Sequence, residues 1–313
     1  MYNKILTITF SPAIDKSTSV PLLIPEKKLK CSAPVYEPGG GGINVARAIK
    51  RLNGHATAIY FAGGCTGNVF TKLLNKEDID IIPIKTSGAT RENLVVKEME
   101  TNQQFRFGMP SVRLTAKACQ KCLSALENIP DITYIVVSGS VSPGVPADIF
   151  LKIAKIAKSK NAKLIVDTSG EALSQAIAAG VYLIKPNLKE LAALAGKEML
   201  SIDQVKEAAK EIIHKFKCEA IVVSLAAQGA ILITKSSCYR ITPPDVNVQS
   251  TVGAGDSMLA GIVYSLQNNK DLVESARFGV ACGTAATMNP GTELCHLTDV
   301  KKIYKNMEPA TVF

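Results

Sequence analysis

Along this chain, short apolar runs alternate with amphipathic stretches, and from Ser111 onward the rhythm is regular. Tyr134–Val137 is an apolar run of strand length, followed by an amphipathic segment from Pro146 to Ser159. Lys163–Asp167, a helical pattern over Glu171–Ala179, and Tyr182–Ile184 come next. Helical patterns near Leu188–Ala195 and Ile202–Phe216 then precede Ala220–Val223. Continuous apolar strands separated by helices predict a mostly parallel sheet covered on both faces, with ligands at the carboxyl ends of its strands. The chain opens on a further run, Lys4–Phe10, which Pro12 and Asp15 end. Residues 17–37 and 92–109 break the rhythm: Cys31, Ala33 and Val35, then Phe105 and Phe107, alternate without a helical period. They predict antiparallel strands inserted between the early βα units. The expected organisation is one α/β domain over residues 1–313, with a small β-sheet as lid or interface.

Composition adds a few bounds. With 313 residues and 47% hydrophobic content, a large core is available, and without Trp it must be mainly aliphatic. The eight cysteines are dispersed and several lie in apolar runs, which reads as reduced thiols in a cytoplasmic protein. Cys119 and Cys122 form a C-x-x-C with no second pair or nearby His, so two thiols one helical turn apart outweigh a zinc or redox site. No apolar stretch approaches the ~20 residues of a membrane span, and the first strand lacks a signal-peptide core. The net charge of +9 comes from lysines scattered along helix faces. It favours small polyanions, and no groove-reading module points to nucleic acid.

Three loops carry candidate chemistry. Gly39–Gly42 runs through Ile43 and Asn44 into a helix, giving a backbone that a ligand can approach closely. Ser250–Ser257, with Gly253 and Gly255, leads into a second helix whose first amides can face an anion. Asp256 there either caps the helix or serves as a base for an attacking hydroxyl. In the third loop, Asn187 and Glu190 after Lys185-Pro186 form a capping box, organise a hydrated Mg²⁺, or do both. Asp167 can support that cluster. Asp15 is either a turn residue or an acceptor for sugar hydroxyls. Arg91, Arg106, Lys28 and Lys30 lie in or beside the inserted strands, where they can grip a sugar phosphate. The absence of G-x-x-x-x-G-K-[ST] excludes a P-loop.

These loops, in this order, resemble the ribokinase-like (PfkB-type) carbohydrate kinases from Lys4 to about Tyr304. The most specific stretches are Gly39–Arg47 and Ser250–Ser257. Within the family the chain is most similar to the bacterial minor 6-phosphofructokinases, with support from Ala33–Pro38, Ser169–Leu173 and Lys185–Asn187. Tagatose-6-phosphate kinases and 1-phosphofructokinases are near relatives. The resemblance implies a three-layer α/β/α fold with a β lid. It also implies ATP-dependent phosphorylation of the 1-hydroxyl of a ketohexose 6-phosphate, chiefly fructose 6-phosphate to fructose 1,6-bisphosphate.

By matching position, Asp256 is the base and the Gly253, Ala254 and Gly255 backbone forms the anion hole. Asp15, Gly40, Gly41 and Asn44 hold the sugar, while Lys28, Arg91 and Ser140 hold its phosphate, with Arg106 nearby. Lys185, Asn187, Ser224, Ser250, Val252 and Gly253 line the ATP side, and Glu190 serves Mg²⁺ through water. The family often uses K⁺ bound by loop oxygens, here those of Val246, Ser250, Val252, Ala286, Asn289 and Gly291. Independently of the resemblance, a lone small sheet from residues 17–37 and 92–109 would expose an apolar face and free edges, which predicts a homodimer through the lid strands with Lys28 reaching the partner's site.

Three residues depart from the family pattern: Ala226 at a usual Gly, Val248 at a polar position, and Glu293 at a basic one. Retention of Asp256 and Glu190 argues against a non-catalytic sugar-phosphate sensor.

Overall fold

The computed structural model describes residues 4–313. In chain order the first elements are β1 (Lys4–Thr9), β2 (Ala13–Val20), β3 (Val35–Gly39), α1 (Gly41–Arg51), β4 (Ala56–Ala62), α2 (Gly64–Lys76) and β5 (Asp80–Lys85). Then come β6 (Arg91–Glu98), β7 (Gln104–Phe107), α3 (Ala116–Asn128), β8 (Ile132–Ser138), α4 (Ile149–Ser159), β9 (Lys163–Asp167), α5 (Gly170–Ala179) and β10 (Val181–Ile184). The rest are α6 (Leu188–Leu194), α7 (Val205–Lys215), β11 (Cys218–Ser224), β12 (Ala230–Thr234), β13 (Cys238–Ile241), α8 (Ala254–Gln267), α9 (Leu272–Thr287), α10 (Leu297–Asn306) and β14 (Thr311–Val312).

Ten strands form the main sheet in the order β14-β13-β12-β11-β10-β9-β8-β1-β4-β5. From β11 to β5 every pairing is parallel, while β12, β13 and β14 close one edge antiparallel. That edge was not anticipated from sequence. Strand periodicity divides the core. Ile5, Tyr134, Val136, Ala220 and Val222 face α1, α2, α8, α9 and α10; Leu6, Ile8, Ile135, Val137 and Ile221 face α3 to α7. Both faces are covered, which is why the strands read as continuous apolar runs. Among the described residues, no helix is long and apolar enough to cross a membrane.

The inserted segments form a separate four-stranded sheet, β3-β2-β6-β7. Three details differ from expectation. Residues 21–34 contain no strand, and β2 begins at Ala13, so Asp15 lies inside a lid strand and does not end β1. The central pair β2–β6 is parallel; only the flanking pairs are antiparallel. The pair is parallel because β3, α1, β4, α2 and β5 intervene between β2 and β6 and return the chain in the same direction. Val20 and Val95 face inward and are buried, whereas Val35 and Phe107 are exposed.

Candidate active site

Two helix N-termini converge beside the carboxyl ends of β1 and β8. Helix α1 starts after Gly40, whose φ of 111° suits only glycine, and a Cβ on Gly41 would sit 2.4 Å from Gly139 N. Helix α8 starts after Gly253 in the left-handed region, φ 74°. Asp256 lies in the first turn of α8, but Gly253 is the cap residue and no side chain caps this helix. The Asp256 carboxylate instead accepts from Asn44 Nδ2 across the gap, at 2.9 Å on Oδ2. Its Oδ1 has no hydrogen bond among the described residues. Burial pushes Asp256 up to about 6; the carboxylates of Asp167 and Asp15 add to this, while the Asn44 bond and Lys185 oppose it.

Lys185, at the end of β10, is buried and forms a 3.1 Å ion pair with Asp167 Oδ2 at the end of β9. Burial works against the ammonium, but Asp167, with Asp256 and Glu190 beyond it, outweighs burial and leaves the lysine pKa raised. Lys185 Nζ lies 3.4 Å from the position a Cβ on Gly255 would take. A buried cation therefore stands beside the first amides of α8, which together make an anion cradle.

Asn187 and Glu190 form a complete capping box on α6, with both bonds at 2.9 Å. Only Glu190 Oε2 is engaged; Oε1 is free of protein partners, so the box and a water-mediated cation role are compatible. Ser224 adjoins this turn, its amide donating to Pro186 O at 2.9 Å.

From here a cleft of about 610 Å³ runs past Asn187, Ser224, Ala226, Val246, Thr251 and Gly255. Ala226 has φ 51°, which explains why a glycine suits that position. Val248 lines the same cleft and is exposed. The cleft is large enough for a nucleotide and is walled mostly by apolar side chains.

On the opposite side of Asp256, Asp15 on β2 pairs in register with Glu37 on β3 and Asn93 on β6. Asn93 Nδ2 donates to Asp15 Oδ1 at 2.8 Å. Burial raises the Asp15 pKa, with Asn93 and Arg91 pulling the other way. Arg91 donates to the carbonyls of Met109 at 3.0 Å and Ser11 at 3.1 Å, and its buried Nε has no partner among the described residues. It braces the lid against β1 as well as standing near Asp15. Ser140 is exposed just past β8. Arg106 on β7 reaches Thr251 Oγ1 at 3.3 Å, so the lid touches the anion loop. Lys28 is not drawn in: it is exposed in the irregular 21–34 segment and makes no hydrogen bond or ion pair among the described residues.

The two loop segments proposed for K⁺ are adjacent. Ser250 Oγ donates to Gly291 O at 2.6 Å, its amide donates to Thr287 O at 3.2 Å, and Asn289 N donates to Ala286 O at 3.2 Å. Val252 N donates to Ser250 Oγ at 3.2 Å. Val246 lies on the wall of the nearby cleft. Glu293 binds His296 Nε2 at 2.7 Å and stands 3.9 Å from Arg51. Sequence reading missed what joins these loops to the lid. Buried Arg47 on α1 holds Glu77, Glu37 and Pro38 O, and Glu37 also accepts from Thr292.

A parallel α/β sheet, a β lid and a glycine-started helix carrying a carboxylate beside a nucleotide-sized cleft together define a ribokinase-like kinase. The model of the pfkB family carbohydrate kinases matches residues 8–299, and the chain belongs to that family. The ATP-dependent 6-phosphofructokinase isozyme 2 of Escherichia coli K12 is 44% identical over 302 residues, 96% of this chain and 98% of that protein. A structure of E. coli phosphofructokinase-2 in complex with potassium is similar at TM-score 0.93 and 44% identity, covering 97% of this chain and 99% of that one. Another, in complex with fructose-6-phosphate, is similar at TM-score 0.91 and 42% identity, with the same coverage.

Proposed function

We propose that this protein transfers the γ-phosphoryl group of ATP to the 1-hydroxyl of fructose 6-phosphate, giving fructose 1,6-bisphosphate and ADP. The observation that carries this reading is Asp256, a carboxylate held by Asn44 between a nucleotide-sized cleft and the Asp15 side of the lid. The kinship with 6-phosphofructokinase isozyme 2 supports the same acceptor.

ATP fits the cleft with its phosphates toward the start of α8, near Lys185, Asn187, Ser224, Ser250 and Val252. The sugar fits against Asp15, Gly40, Gly41 and Asn44, with Arg91, Arg106 and Ser140 toward its phosphate. The Asn44 amide fixes Asp256 Oδ2 and leaves Oδ1 to orient the acceptor hydroxyl and take its proton. Backbone amides of Gly253, Ala254 and Gly255, with the Lys185 ammonium, stabilise charge on the transferred group. Pairing with Asp167 keeps Lys185 charged and aimed at this cradle. Contact of Arg106 with Thr251 supports a lid that closes over the reacting centre and keeps out water, the competing acceptor.

A divalent cation fits Glu190, whose Oε1 is free, together with Asn187 through bridging waters. When bound, such an ion neutralises phosphate charge. The neutral oxygens of Ser250, Ala286 and Gly291 suit a monovalent cation such as K⁺, with Val246, Val252 and Asn289 on the same loops. The protein is proposed to work in the cytoplasm as a homodimer through the lid. Val35, Tyr36, Met99, Phe107 and Met109, all on or next to lid strands, are exposed apolar side chains suited to that contact. In such a dimer Lys28 can reach the partner's sugar phosphate.

The test is parallel kcat/KM measurement with ATP and fructose 6-phosphate, tagatose 6-phosphate or fructose 1-phosphate, following ADP release. Highest efficiency with fructose 6-phosphate is expected. A preference for either other sugar reassigns the acceptor, and sugar binding without ADP release identifies a sensor.

A further inference from the structure

A second, smaller cleft of about 140 Å³ lies away from the residues described above. Its lining comprises Lys85 at the end of β5, Thr86 and Ser87 just after it, Arg113, and Thr115, Lys117 and Lys121 at the start of α3. Four cations face one cavity and no carboxylate lines it. None of the four side chains has an ion pair or a hydrogen bond among the described residues. Lys117 and Lys121 are one helical turn apart on α3, where like charges repel. Lys117 also sits in the first turn of that helix, where the helix dipole disfavours a cation. No local contact offsets this arrangement, and an anion would.

We propose that this cleft is a second anion site that takes a small phosphate-bearing molecule of diphosphate size. The volume is too small for a nucleotide, whose sites run from about 300 Å³ upward. The hydroxyls of Ser87 and Thr115 add donors that can turn toward phosphate oxygens, Thr86 already donating to Gly88 O at 3.2 Å, and the cations supply charge-assisted bonds. Thr86 also lines a neighbouring small cavity with Arg91, Ser11 and Pro12, so the site lies one residue layer from the lid brace.

The experiment is calorimetric titration of the full-length protein with inorganic diphosphate, in EDTA without divalent metal. Wild type is compared with Lys117→Gln/Lys121→Gln and with Lys155→Gln/Lys158→Gln. The latter removes the same charge from the exposed face of α4, and all three proteins are checked for unchanged melting temperature. Two binding events per chain are expected in wild type, one at the transfer cradle and one here. The first double variant should weaken one event at least about tenfold, as loss of charged hydrogen bonds does, and leave the other intact. The control variant should keep both. A wild-type titration in which no event is weakened by Lys117→Gln/Lys121→Gln overturns the proposal, whereas a single wild-type event lost in that variant keeps it and counts against the transfer cradle. Equal weakening in the control also overturns it, because that is non-specific charge attraction. These outcomes do not depend on turnover, so failure of the kinase reading is seen separately.

Discussion

Replacing Asp256 with Asn should make the protein more stable and nearly inactive at once. The carboxyl is held at about 6 against an ordinary 3.8. At about 1.4 kcal/mol per pKa unit, ionising it in the folded protein costs at most about 3 kcal/mol. The side chain keeps some contact with solvent at the cleft floor, so roughly 1–2 kcal/mol is the expected value after screening. A raised value means that the folded protein binds this proton more tightly than the unfolded chain does. Its favourable contribution is present below 3.8 and is lost as pH rises through about 6. Asn stays neutral at every pH and keeps the shape, with Asn44 able to donate to its amide oxygen. Urea denaturation of both proteins at pH 5 and pH 7.5 should therefore show an advantage for Asp256→Asn that grows with pH. Turnover should fall by ~10²–10⁴, the usual worth of a positioned base. In wild type, activity should decline as pH drops below about 6. A variant less stable than wild type at pH 7.5 refutes the electrostatic reasoning. A folded variant keeping over half of wild-type kcat refutes the base assignment.

Other perturbations test neighbouring parts. Arg91→Ala should raise KM for the sugar phosphate far more than KM for ATP, with a loss of about 2–5 kcal/mol in binding. An unchanged sugar-phosphate KM alongside a lower kcat would leave Arg91 as a lid brace only. Ala226→Gly should raise stability by about 0.5–1 kcal/mol in urea titrations, because alanine is strained at positive φ; no gain would mean that the loop relaxes the strain. Val35→Asp and Phe107→Asp should give monomers in light scattering with a raised sugar-phosphate KM. A fully active wild-type monomer would remove the lid interface and leave the kinase reading standing.

Much of the fold was legible because a two-sided parallel sheet writes itself into sequence as apolar runs separated by amphipathic helices. Tyr134–Val137 and Ala220–Val223 fell within β8 and β11 for that reason. The antiparallel edge was less visible. Cys238–Ile241 carries half-buried Tyr239 and Arg240, and Thr311–Val312 is two residues long, so neither forms an apolar run. The lid was recognised by alternation, but alternation says nothing about direction. Whether β2 meets β6 parallel or antiparallel depends on how many elements intervene and where the chain re-enters. The stretch from 21 to 34 shows the same limit: Cys31 and Ala33 alternate with polar neighbours, yet Pro21, Pro25 and Pro34 remove donors a strand would need.

The site divides along similar lines. Gly253, Gly255 and Asp256 stand together in sequence because, in the proposed reaction, one helix start supplies both the amides and the base. Asn187 and Glu190 are legible for the same reason, since a capping box needs a fixed spacing of three. What aims these groups is spread over the chain. Asn44 and Asp256 are 212 residues apart, and Thr292 and Glu37 are 255 apart. Arg47 was visible only as part of a glycine-rich stretch, yet its guanidinium is fully enclosed by Glu37, Glu77 and Pro38 O. A buried arginine that loses its partners is costly, so the lid strand β3 cannot leave α1 without uncovering that charge. Helix α1 also carries Asn44, and Thr292 precedes the Glu293 turn beside the proposed cation loop. The same ion pair thus ties three parts of the proposed active site to one position of the lid root, which leaves the proposed closure to the edge strand β7, where Arg106 already touches Thr251.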